Sequence, residues 1–312
     1  ALAHEGGALL QSSFRAFDAT TGYRVPWSRP AGSRFMADHV WEGENKSRAA
    51  RSHVFVSEAL AEAHDVCEVA IVSAAGDTVR RMKMDVEAGW QRFTWRGDSD
   101  GVAWPSRTLD EEEDEPRGGG VAVIPGDYRA TMSLGEEEAQ INLPMRWDPR
   151  KPMSEADMAA ARALAGEAQQ EAARLAAAMQ TVAAMNEAMD AMDAVWSALP
   201  DSTTAQVDSL RGEVRSAIDA MHDALWTPKD FVGYDHVTER IMDVLYAAKP
   251  DLSEAPGPNS RRKLALARAE VDDMLAQVDA LKQVLWKELM AAADEVRAGM
   301  TEVWQGIASP KE

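Results

Sequence analysis

The chain has 312 residues, a formal net charge of −19, and 46% apolar and 27% charged residues. This composition is ordinary for a soluble globular protein, and the length is sufficient for two domains with sizeable cores. The acidic surplus argues against nucleic acid and against anionic lipid as partners, because the chain has no excess of cations to offer either. A single cysteine, Cys67, rules out an internal disulfide. No run approaches the 18 or more apolar residues of a membrane-spanning helix, so no membrane span is predicted.

The first 65 residues are predicted to form an extended strap with one strand. In the stretch "FRAFDATTGYRVPWSRPAGSRF", which starts at Phe14, aromatic and arginine residues are separated by Gly and Pro. Their spacing fits neither a strand nor a helix, so the segment has no core of its own. Further along, the stretch "HVFVSEAL" at 53–60 is predicted to be a strand. So many aromatic residues would form a large exposed patch, which predicts contact with a partner surface. The predicted partner-contact residues are Phe14, Arg15, Phe17, Tyr23, Arg24, Trp27, Phe35 and Trp41.

Residues 66–150 are predicted to form a small antiparallel β-domain. "VCEVAIVSAAGDTVRRMKM" is typical of a strand, a turn and a second strand, and "WQRFTW" follows as the next strand. "DSDGVAWPS" and the acidic stretch after it are predicted to be loops. "DYRATMSL" and "AQINLPMRW" are predicted to pair as a hairpin through Gly135. Short strands joined by turns favour a sandwich.

Residues 151–312 are predicted to be helical. The prolines of "DPRKP" bar a helix, and Ser154 after them is an N-cap signal. Apolar residues then recur every seven positions, as in a coiled-coil seam, until Pro200. Further helices are predicted at about 203–226, 235–248 and 259–307. The predicted fold class is therefore α+β, a small Ig-like antiparallel β-sandwich followed by an antiparallel helical bundle.

No metal site, cofactor or catalytic residue can be assigned from the motifs. The acidic run Asp110–Glu115 could hold calcium, but a solvated loop is the favoured interpretation, because like-charge blocks usually remain in water. "DSDG" at Asp98–Gly101 is only a fragment of a calcium loop, and a turn is favoured there. His64 and Cys67 have the spacing of two zinc ligands, but a lone cysteine leaves no second pair. The chain contains no nucleophile elbow and no phosphate-binding glycine loop.

Four stretches carry a resemblance to a known family: "IVSAAGDTVRRM", "AGWQRFTWRGD", "VIPGDYRATMSL" and "MRWDPRKPMSEAD". In order and approximate spacing, across residues 66–160, they resemble the C-terminal portion of large bacterial sortilin-like (VPS10-type) or glycosyl-hydrolase-like β-propeller proteins. The same rhythm also marks the Ig-like part of the flagellar hook-cap protein. The predicted bundle after "DPR" favours the propeller family. Trp90 and Gln91 depart from the family pattern, which has Leu and Asn there.

The resemblance implies a non-catalytic C-terminal accessory module. Such a module would pack on or position a β-propeller domain or subunit and mediate protein–protein contact, in the periplasm or outside the cell. Any hydrolase chemistry would belong to the propeller. Two alternatives remain, a stand-alone hydrolase with its site at the junction of β-domain and bundle, and a scaffold subunit of a larger assembly. The structural residues implied by the resemblance are Gly89, Trp90, Trp95, Gly126, Tyr128 and Arg150.

Overall fold

The computed structural model is a mixed α and β protein with β-sheets and a helical C-terminal region, in agreement with the α+β class. It describes residues 12–24, 47–107, 118–150, 153–196, 201–226, 236–248 and 255–308. The described residues fall into two compact units. The first unit lies within 1–101, 118–166 and 247–257, and the second within 102–117, 167–246 and 258–312. The boundary predicted at residue 150 precedes the long helix that follows, whereas the first unit extends to Gly166 inside that helix.

Ten strands are present in the described part of the chain, and the longer ones follow the predicted alternation of apolar residues. They are β1 (Phe14–Ala16), β2 (Gly22–Arg24), β3 (Ala50–Val56), β4 (Val66–Val72), β5 (Thr78–Asp85), β6 (Gly89–Trp95), β7 (Asp98–Asp100), β8 (Gly119–Ala122), β9 (Gly126–Leu134) and β10 (Glu137–Trp147). The hairpin of β9 and β10 through Gly135 is confirmed, with Leu134 opposite Glu137. The predicted loop at 98–106 instead begins with β7, because Asp98 and Asp100 pair with β8.

The strands form three sheets. A three-stranded sheet has the order β1-β3-β6, a five-stranded sheet the order β2-β10-β9-β4-β5, and β7 pairs with β8. All pairs are antiparallel except β2 with β10, which run parallel. The two larger sheets contribute to one hydrophobic core, because alternate residues of each strand point inward. Its largest fully buried members are Trp95, Ile71, Met132, Leu134, Ile141, Leu143 and Met145.

Many described residues of the predicted strap belong to these sheets, but the predicted strand at 53–60 ends at Val56 and is followed by a helix, Glu58–Ala63. β1 pairs with β3 and β2 pairs with β10, so residues 14–24 contribute to both larger sheets. Phe14 lies opposite Val56 and is only 9% exposed, within the core cluster. The prediction that Phe14 contacts a partner is therefore corrected, because its side chain is already buried in this chain. A strand of three residues is too short for its periodicity to be visible in the sequence.

The helices are α1 (Glu58–Ala63), α2 (Glu155–Trp196), α3 (Asp201–Asp223), α4 (Val237–Ala247), α5 (Pro258–Leu281) and α6 (Lys287–Ala308). The predicted N-cap of α2 is confirmed, since the backbone N–H of Asp157 donates to Ser154 Oγ at 3.1 Å. The last predicted helix contains one π-helical turn, Lys282–Trp286, between α5 and α6. None of the helices in the described ranges is long and apolar enough to cross a membrane.

A buried carboxylate links two helices of the second unit. Glu171 on α2 is 3% exposed and accepts hydrogen bonds from Arg174 Nη1 at 2.5 Å and from Arg268 Nε of α5 at 2.7 Å. The hydrogen bond to Glu171 raises the pKa of Arg268 above its usual value. Arg174 also donates to Asp272 of α5 at 2.6 Å. A carboxylate held by two guanidinium groups compensates for the loss of water around it. Other ion pairs join α3 to α2, through Arg215 and Asp190, and α4 to α5, through Arg240–Glu270 and Lys263–Asp243.

Candidate functional site

The outer face of the three-stranded sheet presents aromatic and arginine side chains. Because inward and outward positions alternate along a strand, the residues between the buried ones point away from the core. The strand register places Arg15, Phe55 and Trp90 in one row across the sheet. Further along the same face, Arg92 lies opposite His53. We call this surface the aromatic–arginine face and define it by Arg15, Phe17, Arg51, Phe55, Trp90 and Arg92.

Trp90 is the centre of an aromatic cluster on this face. Its ring centroid lies 5.4 Å from that of Phe55 and 5.8 Å from that of Phe17, both in tilted contacts. The guanidinium carbon of Arg15 lies 5.4 Å from the centroid of the Phe17 ring, a cation–π geometry. Trp90 nevertheless remains 44% exposed. Tryptophan and arginine are the side chains that most often dominate binding energy in protein interfaces.

The face is locally basic although the chain carries a net charge of −19. The outward positions of β1, β3 and β6 hold Arg15, Arg51 and Arg92 and no carboxylate. Within the described ranges, Arg51 and Arg92 have no carboxylate partner. Asp18, which follows the Phe17 position, accepts hydrogen bonds from the backbone N–H and the side-chain amide of Asn142 at 2.8 and 3.2 Å. Its carboxylate is therefore held by β10.

The predicted partner-contact residues are divided by the structure. Arg15 and Phe17 belong to the aromatic–arginine face, whereas Phe14 is buried beneath it. Tyr23, which is 42% exposed, and Arg24 lie on β2 in the five-stranded sheet. Trp27, Phe35 and Trp41 lie outside the described residues. Phe55, Trp90 and Arg92 were not predicted as contacts, although the alternation along β3 and β6 places them at outward positions.

On the inward side of β6, opposite the aromatic–arginine face, Trp95 packs against Tyr128. Trp95 is 0% exposed, and its indole Nε1 donates to the carbonyl of Asp98 at 3.0 Å. The rings of Trp95 and Tyr128 meet edge to face with centroids 5.0 Å apart. The hydroxyl of Tyr128 donates to the carbonyl of Ile124 at 2.5 Å, and burial raises the pKa of this phenol. Both side chains are therefore held by packing and hydrogen bonds within the first unit.

The other predicted structural residues differ in what they contribute. Gly89 has a φ of +94°, which favours glycine at the start of β6. Gly126 has no positive φ, so the turn before β9 does not require glycine, and the prediction that it does is wrong. Arg150 donates from Nη2 to Asp148 Oδ2 at 2.7 Å, and its backbone N–H donates to Oδ1 at 2.9 Å. These contacts fix the "DPR" turn, and the hydrogen bond to Asp148 raises the pKa of Arg150.

The carboxylates of "DSDG" have structural partners. Asp98 pairs with the guanidinium of Arg80, and Asp100 Oδ1 accepts the backbone N–H of Arg81 at 2.8 Å. β7 is thereby fixed to β5. The acidic run at 110–115, a possible calcium loop, lies outside the described residues.

The two members of the possible zinc pair have different surroundings. Burial in the core raises the pKa of Cys67 to about 11, whereas the imidazole of His64 lies against Gly135. Across the ranges that the structure describes, no group of three or more His, Cys, Asp or Glu side chains could hold a metal ion.

Comparison of the chain with protein-family models, with curated proteins and with solved structures gave no match. The resemblance to sortilin-like propeller proteins thus stays a prediction based on the four sequence stretches. The aromatic–arginine face is the feature of the described residues with the clearest chemistry for binding.

Proposed function

We propose that the chain is a non-catalytic accessory module that packs on or positions a β-propeller domain or subunit and mediates protein–protein contact. The observation that carries this proposal is the aromatic–arginine face. It combines the partly exposed Trp90 with three outward arginines in a chain of net charge −19. Surfaces of this composition supply the central anchors of protein interfaces.

We propose that the first unit is an Ig-like sandwich. The sheet orders β1-β3-β6 and β10-β9-β4-β5 correspond to strands A-B-E and G-F-C-C′ of immunoglobulin-type domains, with β2 added beside β10. Tyr128 supports this assignment, because it lies near the start of the F-equivalent strand and bonds back to Ile124. That contact has the form of the tyrosine corner found at the same place in Ig-like domains.

We propose that the second unit is an antiparallel helical bundle. Leu175, Val182 and Met189 recur every seven residues along α2, and all three are fully buried. The ion pairs of Glu171 with Arg268 and of Asp190 with Arg215 link α2 to α5 and α3. A buried seam with ion pairs beside it is the pattern of bundle packing.

The propeller partner and a periplasmic or extracellular location are proposed from the resemblance alone. Two of its stretches have roles in the fold that suit it. The "PGDY" stretch supplies the corner at Tyr128, and the "DPR" stretch supplies the turn fixed by Asp148 and Arg150. These contacts support the resemblance at the level of architecture. The aromatic–arginine face supports the proposal that the module contacts another protein.

Hydroxyl-radical footprinting tests the proposal by measuring side-chain accessibility. The chain is labelled alone and after expression together with the protein region encoded upstream of it. Trp90, Phe17 and Phe55 are expected to be oxidised less in the joined protein, because a propeller would cover them. Tyr246 of the second unit, which is 63% exposed, is the control and is expected to keep its labelling. An upstream region without a propeller, or equal oxidation of Trp90 in both samples, would contradict the proposal.

A further inference from the structure

β6 forms an edge of the three-stranded sheet beside the aromatic–arginine face. It pairs with β3 from Gly89 to Trp95 without a break in register. Among the residues that the structure describes, no strand lies on its other side. Seven residues of strand extend about 23 Å. Along such an edge, alternate backbone N–H and C=O groups point away from the sheet and can accept a further strand.

The other sheet edges offer less. β1 and β2 have three residues each, too few to hold an added strand. β5 is longer, but its Arg81 N–H already donates to Asp100 Oδ1 at 2.8 Å, and β7 lies against it. Natural edges are commonly blocked by proline, a bulge or inward charge, and β6 has none of these between Gly89 and Trp95.

The side chains along β6 determine what an added strand would meet. On the outer face, Trp90 gives an apolar surface and Arg92 a cation. Arg51 on the neighbouring strand lies on the same face as Arg92. A strand added here would therefore find favourable partners for carboxylates and for one apolar side chain. Basic residues on it would be repelled.

We infer that β6 is a strand-addition site for an extended, acidic polypeptide segment of a partner protein. This inference rests on the proposed contact function and specifies what the partner contributes. Main-chain hydrogen bonds along Gly89–Trp95 would supply affinity. Alternate side chains of the partner would reach Trp90 and Arg92 and supply specificity.

Charge favours this occupant over the others. A second copy of the chain paired through β6 would bring two Arg92-bearing edges together, and both copies carry a net charge of −19. Like charges opposed across a strand pair are destabilising. An acidic polysaccharide could meet the arginines, but it lacks the regularly spaced backbone donors and acceptors that a strand edge requires.

A short synthetic peptide that alternates Glu and Val is the test probe, and the intact chain is the receptor. Calorimetry measures affinity, and hydrogen exchange with mass spectrometry measures protection of the β6 amides. We expect binding together with slower exchange in β6. A peptide with Lys in place of Glu, and one with Pro in place of alternate Val residues, are expected to bind at least about tenfold more weakly.

Variants of the chain separate the face from the rest of the surface. Arg92→Glu is expected to weaken binding at least about tenfold, because it replaces an attractive charge by a repulsive one at a central contact. The matched control is Arg129→Glu, the same charge reversal at an exposed position of β9 in the other sheet, for which no change is expected. Circular dichroism melting of both variants verifies that each is folded.

Five outcomes would overturn the inference. Binding without slower exchange in β6, or equal binding of the Pro peptide, would mean contact through side chains only, and the proposed contact function would survive. Absence of binding would exclude an acidic strand as the occupant. Binding seen only after residues 110–115 are replaced by Ser would identify this chain's own acidic run as the occupant. Dimerisation measured by light scattering, together with slower exchange of the β6 amides in the dimer, would identify a second copy. Failure of the Trp90 footprint, by contrast, would refute the proposed function itself.

Discussion

Replacing Trp95 by alanine tests whether the inner side of β6 belongs to the core. Trp95 is 0% exposed, and a buried tryptophan removes roughly 200 Å² from water, of which alanine would retain about a third. At about 25 cal/mol per Å², the lost burial costs about 3 kcal/mol. The edge-to-face contact with Tyr128 and the hydrogen bond to Asp98 add about 1 kcal/mol each. We expect a total loss of about 4–5 kcal/mol, within the usual range for such deletions.

Trp90 provides the matched control in the same strand. It lies five positions earlier, an odd spacing that places it on the opposite face, and it is 44% exposed. Its ring contacts with Phe17 and Phe55 are surface contacts between neighbouring strands. Trp90→Ala is therefore expected to cost only about 1 kcal/mol. The same Trp→Ala substitution within β6 is thus expected to lower the free energy of unfolding by about 4–5 kcal/mol at Trp95 and by about 1 kcal/mol at Trp90.

Urea unfolding followed by circular dichroism measures both costs, with hydrogen exchange of β4 and β9 assigning the transition to the first unit. A third variant, Trp95→Phe, keeps an aromatic ring and removes the indole donor. Trp95→Phe is expected to lower the free energy of unfolding by about 1–2 kcal/mol. This variant is therefore expected to remain folded even where Trp95→Ala fails to fold. Equal losses for Trp90→Ala and Trp95→Ala would refute the assignment of inner and outer faces. A loss of unfolding free energy below about 2 kcal/mol for Trp95→Ala would also refute this assignment.

Three further predictions concern the first unit. Tyr128→Phe removes the hydroxyl that donates to Ile124, and we expect a loss of about 1 kcal/mol in urea unfolding with the Trp95 contact kept. An unchanged midpoint would mean that the corner contributes no stability. Burial raises the pKa of Cys67 from 9.0 to about 11, so between these pH values the unfolded thiol ionises while the folded one stays protonated. Stability is then fully present below pH 9 and falls by about 1.4 kcal/mol per pH unit above it, a slope that Cys67→Ala should lack in urea unfolding at each pH. Gly135 has a φ of +60°, and a Cβ there would collide with the imidazole of His64. Gly135→Ala should therefore cost more than the roughly 1–2 kcal/mol of left-handed strain, and combining it with His64→Ala should recover only the excess in thermal melts.

The longer strands could be predicted because their side chains alternate over enough residues. Cys67, Val69 and Ile71 of β4 repeat at every second position and all face the core. The short strands could not be predicted in this way. β1 and β2 have three residues each, and they are strands because β3 and β10 supply their hydrogen bonds. Tertiary pairing of this kind leaves no local pattern in the sequence.

The candidate site was only partly accessible to sequence reasoning. Arg15 and Phe17 were predicted to be contacts because their segment has no core period. Their neighbours Phe55 and Trp90 were not, since their proximity depends on the register between β1, β3 and β6. Register is set by which faces are buried and not by any single stretch. The sequence identified both Trp90 and Trp95 as strand residues, and the register distinguished the exposed ring from the buried one.

The charge distribution limits what the face can do for recognition. The chain has 52 acidic and 33 basic residues, and arginines on the helices such as Arg174 and Arg215 pair with carboxylates. The outward arginines of β3 and β6, Arg51 and Arg92, lie on one face, and no carboxylate occupies an outward position of these two strands. An acidic partner is therefore repelled by the net charge of the chain at long range and attracted by these arginines at short range, within about 8 Å at physiological salt. Discrimination among acidic segments then depends on close fit along the β6 backbone and Trp90, because long-range attraction cannot supply it.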